Sequence, residues 1–226
     1  MNKKPSRFAW STLMLAGVLS TGAAWPTLSV AADAVAATAP TQAVAPDAFI
    51  KRVTDEVFSA VKADKGIQSG DLRKVQSLVD SKIMPNVDLP RMTAAAVGRS
   101  WRQATPEQQK RLQEEFKNLL VYTYAGAAAQ IKDQTVEYKP MRNRPDDTEV
   151  VVRTLVRNKG DTIQLDYRLE KIEGGWRIYD VNVLGAWLVQ TYQSSFAQEV
   201  SASGIDGLIA KLVERNKQLA NKKPAS

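Results

Sequence analysis

The chain has 226 residues, a formal net charge of +7, and neither cysteine nor histidine. Its length suits one domain of ordinary size. The missing residue types exclude disulfides, thiol chemistry, the commonest zinc ligands and the usual triad base. A metal site built only of carboxylates remains open, but no loop has the spacing for one; neither metal nor cofactor is expected.

Lys3, Lys4 and Arg7 form a positive start, followed by a mostly apolar run with Trp10, Leu13, Met14, Leu15 and Val18. Val30-Ala31-Ala32 fits a cleavage signal, so residues 1–32 read as a signal peptide for export. The alternative is an uncleaved anchor, but that needs about 20 clean apolar residues, and Ser11, Thr12, Ser20 and Thr21 dilute this run. Cleavage would remove three positive charges and leave +4. A mild positive charge gives no argument for nucleic acid. It suits an anionic membrane surface, an acidic partner or simple solubility. Residues 33–46, rich in Ala, Pro and Thr, read as a flexible leader.

Residues 47–63 carry Phe49, Ile50, Val53, Val57, Phe58 and Val61 on one stripe, predicting a helix. A second helix is expected over 71–82, stopped by Pro85, and a short one over 91–97, followed by Gly98 and Trp101. Thr105-Pro106-Glu107-Gln108 is a helix start in which Thr105 caps, Pro106 takes the first position and Gln108 completes a capping box. That helix runs to about 130, with Leu112, Phe116, Leu119, Leu120 and Tyr124 on its apolar stripe. Residues 126–129 are all small, which allows close approach or leaves free volume, and Ala128→Trp is expected to displace a ligand held there.

The period then changes from 3.6 to 2. Strands are expected over 135–139, 149–157, 162–171 and 176–183, joined by the loop 142–147 and by turns at Asn158-Lys159-Gly160-Asp161 and Glu173-Gly174-Gly175. Short connections make them an antiparallel meander, and the face with Ile163, Leu165, Tyr167 and Leu169 needs a cover of helices. Gly185 turns the chain back to helix, with Trp187, Leu188, Thr191, Tyr192 and Ser195 at helical spacings. Gly204 ends that helix, 205–218 forms the last one, and 219–226 is a polar tail. The predicted fold is α+β, a four-stranded antiparallel meander covered on one face by helices. Such a sheet can close like a cone (NTF2-like) and leave an internal apolar cavity, in one domain over 47–218.

Three candidate sites follow. Asp166 and Asp180 lie on neighbouring strands. Counting by twos puts Asp180 with Trp176 and Ile178, where burial would raise its pKa and suit a general base; the alternative is a hydrogen-bonded carboxylate at a strand edge. Arg91, Arg99, Arg102, Arg142 and Arg144 could take a phosphate or form a solvated surface. The aromatic residues around the sheet fill a core or line a cavity.

The order of Asp88, Gly98 with Trp101, the 105–108 helix start, Phe116, Leu119-Leu120 and Tyr124 resembles the MlaC family of periplasmic phospholipid-binding proteins. So do Trp176, Tyr179-Asp180-Val181, Val183, Gly185, Leu188-Val189, Tyr192, Phe196 and the ending 204–209. One departure is Gln193, where many members carry arginine. The resemblance implies a non-catalytic monomeric periplasmic carrier. It would exchange phospholipid between an outer-membrane lipoprotein–porin complex and an inner-membrane ABC transporter, docking through the transporter's membrane-anchored ring protein, and so maintain outer-membrane lipid asymmetry. Expected lining residues are Val97, Trp101, Phe116, Leu120, Tyr124, Ala128, Val136, Val152, Leu165, Tyr167, Val181, Val183, Trp187, Leu188 and Tyr192. A cone-fold enzyme using Asp180 is the alternative.

Overall fold

The computed structural model describes residues 44–221 apart from Pro145 and Lys159, with the side chains of these residues except Ala128 and Ala129. The expected signal peptide, nearly all of the leader and residues 222–226 lie outside this range.

Helix α1 (Pro46–Ala63) buries Phe49, Ile50, Val53 and Val61, the stripe read from the sequence. A one-turn helix, α2 (Lys65–Gln68), starts at Asp64, whose carboxylate accepts from the Gly66 and Ile67 N–H groups. Asp71 caps α3 (Leu72–Leu78) in the same way, through Arg73 and Lys74. The sequence suggested one regular helix up to 82. Instead α3 widens into a π-helical turn (Val79–Ile83) and then a 3₁₀ turn (Met84–Asn86). Pro85 offers no N–H to the carbonyl four residues back, so the helix cannot continue regularly into it.

Asp88 does two jobs at the start of α4 (Leu89–Val97). Its side chain accepts from the Arg91 N–H at 2.8 Å, and its own N–H donates to the Ile178 carbonyl at 2.8 Å. The second bond pins α4 to the sheet. A 3₁₀ turn (Gly98–Gln103) leads to α5 (Pro106–Ala129). Here the capping box is present in both halves: Gln108 N–H donates to Thr105 Oγ1 at 3.2 Å, and Thr105 N–H donates to Gln108 Oε1 at 3.0 Å.

The sheet has five antiparallel strands in sequence order: β1 (Thr135–Tyr138), β2 (Glu149–Asn158), β3 (Asp161–Ile172), β4 (Gly175–Val183) and β5 (Ala186–Trp187). The fifth is a correction to the expected four. Leu184 and Gly185 both have positive φ, 54° and 90°, and make a two-residue hairpin turn of the kind that right-twisted strands favour. Trp187 therefore pairs with Asn182 in β5, and the helix begins one residue later. Helix α6 (Leu188–Asn221) breaks at Gly204, where φ 75° and ψ −175° are non-helical; it continues three residues past the expected end.

A second irregularity lies between β3 and β4. The register shifts between Arg168 and Leu169: Arg168 pairs with Asp180, but Leu169 pairs with Ile178. Tyr179 is the extra residue of a bulge. Residues directly opposite share a sheet face, so Ile178 lies with Leu169, whereas Asp180 lies on the other face with Arg168. Counting by twos had placed Asp180 with Trp176 and Ile178; the bulge moves it across.

The inner face carries Val150, Val152, Thr154, Tyr167, Leu169, Ile178 and Val181 in cross-strand rows. It packs on α1, α4, α5 and α6 in the larger of two buried clusters. The smaller cluster joins Val61, Ile67, Val75, Leu78, Val121 and Ala125 from α1, α2, α3 and α5. Between α5 and α6, the Asn216 side chain donates to the Glu115 carbonyl at 2.9 Å and to its carboxylate at 2.8 Å.

Candidate functional site

The two clusters do not close on each other completely. Between them lies a cavity of about 210 Å³. Val75, Val79 and Ile83 of α3 and its π-helical extension form one wall. Leu120, Val121, Tyr124 and Ala125 of α5 form the second. Ile178 and Val181 of β4, with Leu188 at the head of α6, form the third, and Met84, Val87, Leu89 and Met92 complete the lining. One charged residue, Lys117, reaches it. Burial pushes the Tyr124 phenol above its ordinary pKa, so it stays neutral and the lining presents no fixed charge except at Lys117.

A more open cleft of about 370 Å³ lies against the cavity and shares Met84, Val87, Leu89 and Lys117 with it. Its remaining lining residues include Asp80, Lys110, Gln113 and Glu114. The apolar cavity thus adjoins a cleft bordered by polar side chains. The cavity alone is smaller than the roughly 300–1,000 Å³ usual for ligand pockets, whereas the adjoining cleft falls within that range.

Of the fifteen residues expected to line a cavity, Leu120, Tyr124, Val181 and Leu188 surround this one. Val152 and Tyr167 share a cross-strand row with Val181, and Leu165 pairs with Val183 in the next row. Val136 pairs with Val156 near the sheet edge and is half-buried. All lie on the same face as the cavity without bordering it. Burial also pushes the Tyr167 phenol upward in pKa. Val97 and Phe116 are buried in the core, and Trp101 packs against it. Phe116 makes edge-on contacts with Tyr192 and Phe196, at 5.2 and 5.4 Å between ring centroids. That aromatic cluster joins α5 to α6 and leaves Tyr192 away from the cavity. The side chain of Ala128 lies outside the described residues. In the small-residue stretch, Gly126 and Ala127 are exposed, and it is Ala125, just before them, that meets the cavity.

Trp187 departs most from expectation. Its strand pairing places it on the outer face with Asp180, and the Arg168 guanidinium stacks 3.9 Å from its ring centroid. The same arginine pairs with Asp180 at 3.0 Å. Asp180 is 1% exposed, and it also accepts from the N–H groups of Val181 at 2.9 Å and Val189 at 3.1 Å. Burial raises its carboxyl above the usual carboxylate range, against the pull of Val189, Val181 and Arg168. Asp180 thus ties β4, β3 and the head of α6 together. It faces away from the cavity, and that geometry does not favour the general-base alternative.

With a raised pKa, the Asp180 contribution to stability is full below the usual carboxylate range and is lost as pH rises through the raised value. Arg168→Met removes the compensating charge. It is expected to cost about 2 kcal/mol at neutral pH, less than the 3–5 of a fully buried pair because the guanidinium is partly solvated. Urea melts should show that cost shrinking at acid pH, where the carboxyl is protonated.

Two of the five arginines have acidic partners and the other three are exposed. Arg91 pairs with Glu149 and Glu170 and sits 3.7 Å from the Tyr179 ring centroid. Arg144 pairs with Asp147, and Arg99, Arg102 and Arg142 are exposed. Among the described residues no three acidic side chains gather in a metal-holding group.

Most of the cavity lining was missed from the sequence, although Val75, Val79 and Ile83 recur at four-residue intervals. That spacing predicts a buried face, and a face packed against atoms looks the same in sequence as one packed against a void.

Fold and site together define a class: an α+β protein with an apolar cavity between a five-stranded antiparallel sheet and its helices. Residues 51–214 match the family described as MlaC protein, and the chain belongs to that family. It is 26% identical over 220 residues to the toluene tolerance protein ttg2D of Pseudomonas putida, covering 94% of this chain and 97% of that one. It is 20% identical over 177 residues to the intermembrane phospholipid transport system binding protein MlaC of Haemophilus influenzae, covering 76% and 83%. The solved phospholipid-binding protein of Ralstonia solanacearum, in complex with a phospholipid, is 49% identical, with a TM-score of 0.76 over 77% of this chain and 98% of that one. Among the described residues no helix is long and apolar enough to cross a membrane.

Proposed function

We propose that this protein is a periplasmic phospholipid carrier that encloses acyl chains between α3, α5 and β4 and leaves the headgroup at the polar rim. The observation that carries this reading is an apolar cavity adjoining a cleft bordered by polar side chains, in a chain 49% identical to a protein solved with phospholipid. The energetics demand such a space. Two chains of about 15 methylenes, at about 0.8 kcal/mol each, would cost on the order of 24 kcal/mol to expose to water. To hold them the cavity must widen, and its wall includes the π-helical turn at Val79–Ile83, whose hydrogen bonding departs from that of a regular α-helix.

The carrier would be exported with residues 1–32 removed. It would work as a monomer between an outer-membrane lipoprotein–porin complex and the ring protein of an inner-membrane ABC transporter. Partners would then set the direction of transport. The test is transfer of labelled phospholipid between donor and acceptor vesicles. Transfer should rise in proportion to added protein; a rate equal to the protein-free control contradicts the proposal.

A further inference from the structure

The cavity lining carries charge at one point. Lys117 borders both the cavity and the outer cleft. Its side chain is 27% exposed and its ammonium pairs with Asp80 at 2.8 Å. The stem of this lysine forms part of the apolar wall while its charge reaches the rim. Asp80 belongs to the π-helical turn and Lys117 to α5, so this ion pair spans the gap between the two walls. Lys110, Gln113, Glu114 and Lys117 recur at three- and four-residue intervals and place one polar edge of α5 along the cleft.

We propose that Lys117 binds the phosphate of the carried lipid and that the Asp80 carboxylate occupies the same position until lipid arrives. This rests on the carrier reading and adds a headgroup contact to it. With tails in the cavity and the headgroup in the cleft, the phosphate must cross the residues common to both, and Lys117 is the cation among them. A phosphate oxygen accepts a charge-assisted hydrogen bond from an ammonium as a carboxylate does. The Asp80 side chain is 55% exposed, and so solvated a pair adds little stability, so a phosphate can displace the carboxylate. The contact requires an anionic phosphate and reads nothing beyond it, so lipids differing in the rest of the headgroup should bind alike.

An ion pair that merely staples the two walls makes a different forecast. Breaking it from either side would then have the same effect. If Lys117 holds phosphate, Lys117→Gln and Asp80→Asn act in opposite directions. Delipidated wild type and variants are offered dioleoyl phosphatidylglycerol or dioleoylglycerol from cyclodextrin, and bound lipid is measured by mass spectrometry. Lys117→Gln should lower phosphatidylglycerol uptake about tenfold relative to dioleoylglycerol uptake, or by about 1.4 kcal/mol. Lys117→Arg should retain uptake, and Asp80→Asn should raise it severalfold. Equal losses in Lys117→Gln and Asp80→Asn, or no loss in Lys117→Gln, would overturn the assignment while wild-type uptake leaves the carrier reading standing. Wild type that takes up neither lipid removes both. Inorganic phosphate alone should leave the Lys117 ammonium NMR signal unmoved; a shift would mark a free-anion site and overturn the headgroup assignment.

Discussion

Replacing Ala125 with phenylalanine is expected to strip the protein of phospholipid and leave it folded. Ala125 is 6% exposed and sits where the smaller buried cluster meets the cavity. A phenyl ring there has the cavity to expand into, so the overpacking strain of a filled core, typically about 1–3 kcal/mol, is largely avoided. The ring occupies volume that methylenes would otherwise fill. At about 0.8 kcal/mol for each excluded methylene, losing two or more reduces affinity at least about tenfold. Mass spectrometry of lipid extracted from the natively purified variant should show that loss, with a urea midpoint at or above that of the wild type. Full lipid occupancy would remove this wall from the binding site.

Phe116→Ala is expected to do the reverse. Phe116 is completely buried and meets Tyr192 and Phe196 edge-on. It does not border the cavity. Deleting the ring should cost about 3–5 kcal/mol, of which roughly 0.5–1.5 reflects each aromatic pairing. Against a total of about 5–15 kcal/mol this is a large share, and it corresponds to a fall in Tm of roughly 10 °C. Lipid bound per folded molecule should stay near the wild-type level. Thermal melts and lipid extraction on the same samples separate the two variants: one loses ligand, the other loses stability. The aromatic residues at 116, 192 and 196 then belong to the joint between helices.

Much of the fold was legible because local chemistry and tertiary structure agree. Thr105 and Gln108 form the capping box that their spacing announces. The alternation in β3 pairs with β2 over ten residue pairs in unbroken register. What escaped the sequence lies where the period is broken by a single residue. The bulge at Tyr179 carries Asp180 to the outer face, and no apolar pattern signals an extra residue in a strand. Trp187 matched helical spacing to Thr191 and Ser195, yet the Leu184-Gly185 turn holds it in a two-residue strand too short to show its own alternation. The π-helical turn has the composition of the helix it extends.

The cavity was harder to locate than the fold for a different reason. Lining and core use the same residue types, because both avoid water. The small residues at 126–129 suggested free volume on α5, and Ala125, just before them, borders the cavity. Lys117 gave no sequence signal: a lysine between Phe116 and Leu119 reads as the solvated side of an amphipathic helix. Its significance comes from Asp80 across the gap and from the void beneath.

In the carrier proposed above, the space between α3, α5 and β4 holds the acyl chains. The most direct test is to purify the protein without detergent, extract it with organic solvent and quantify phospholipid against protein by mass spectrometry. The expected result is about one phospholipid per molecule, with reloading from vesicles after delipidation. Protein that arrives empty and takes up nothing from vesicles would contradict the account.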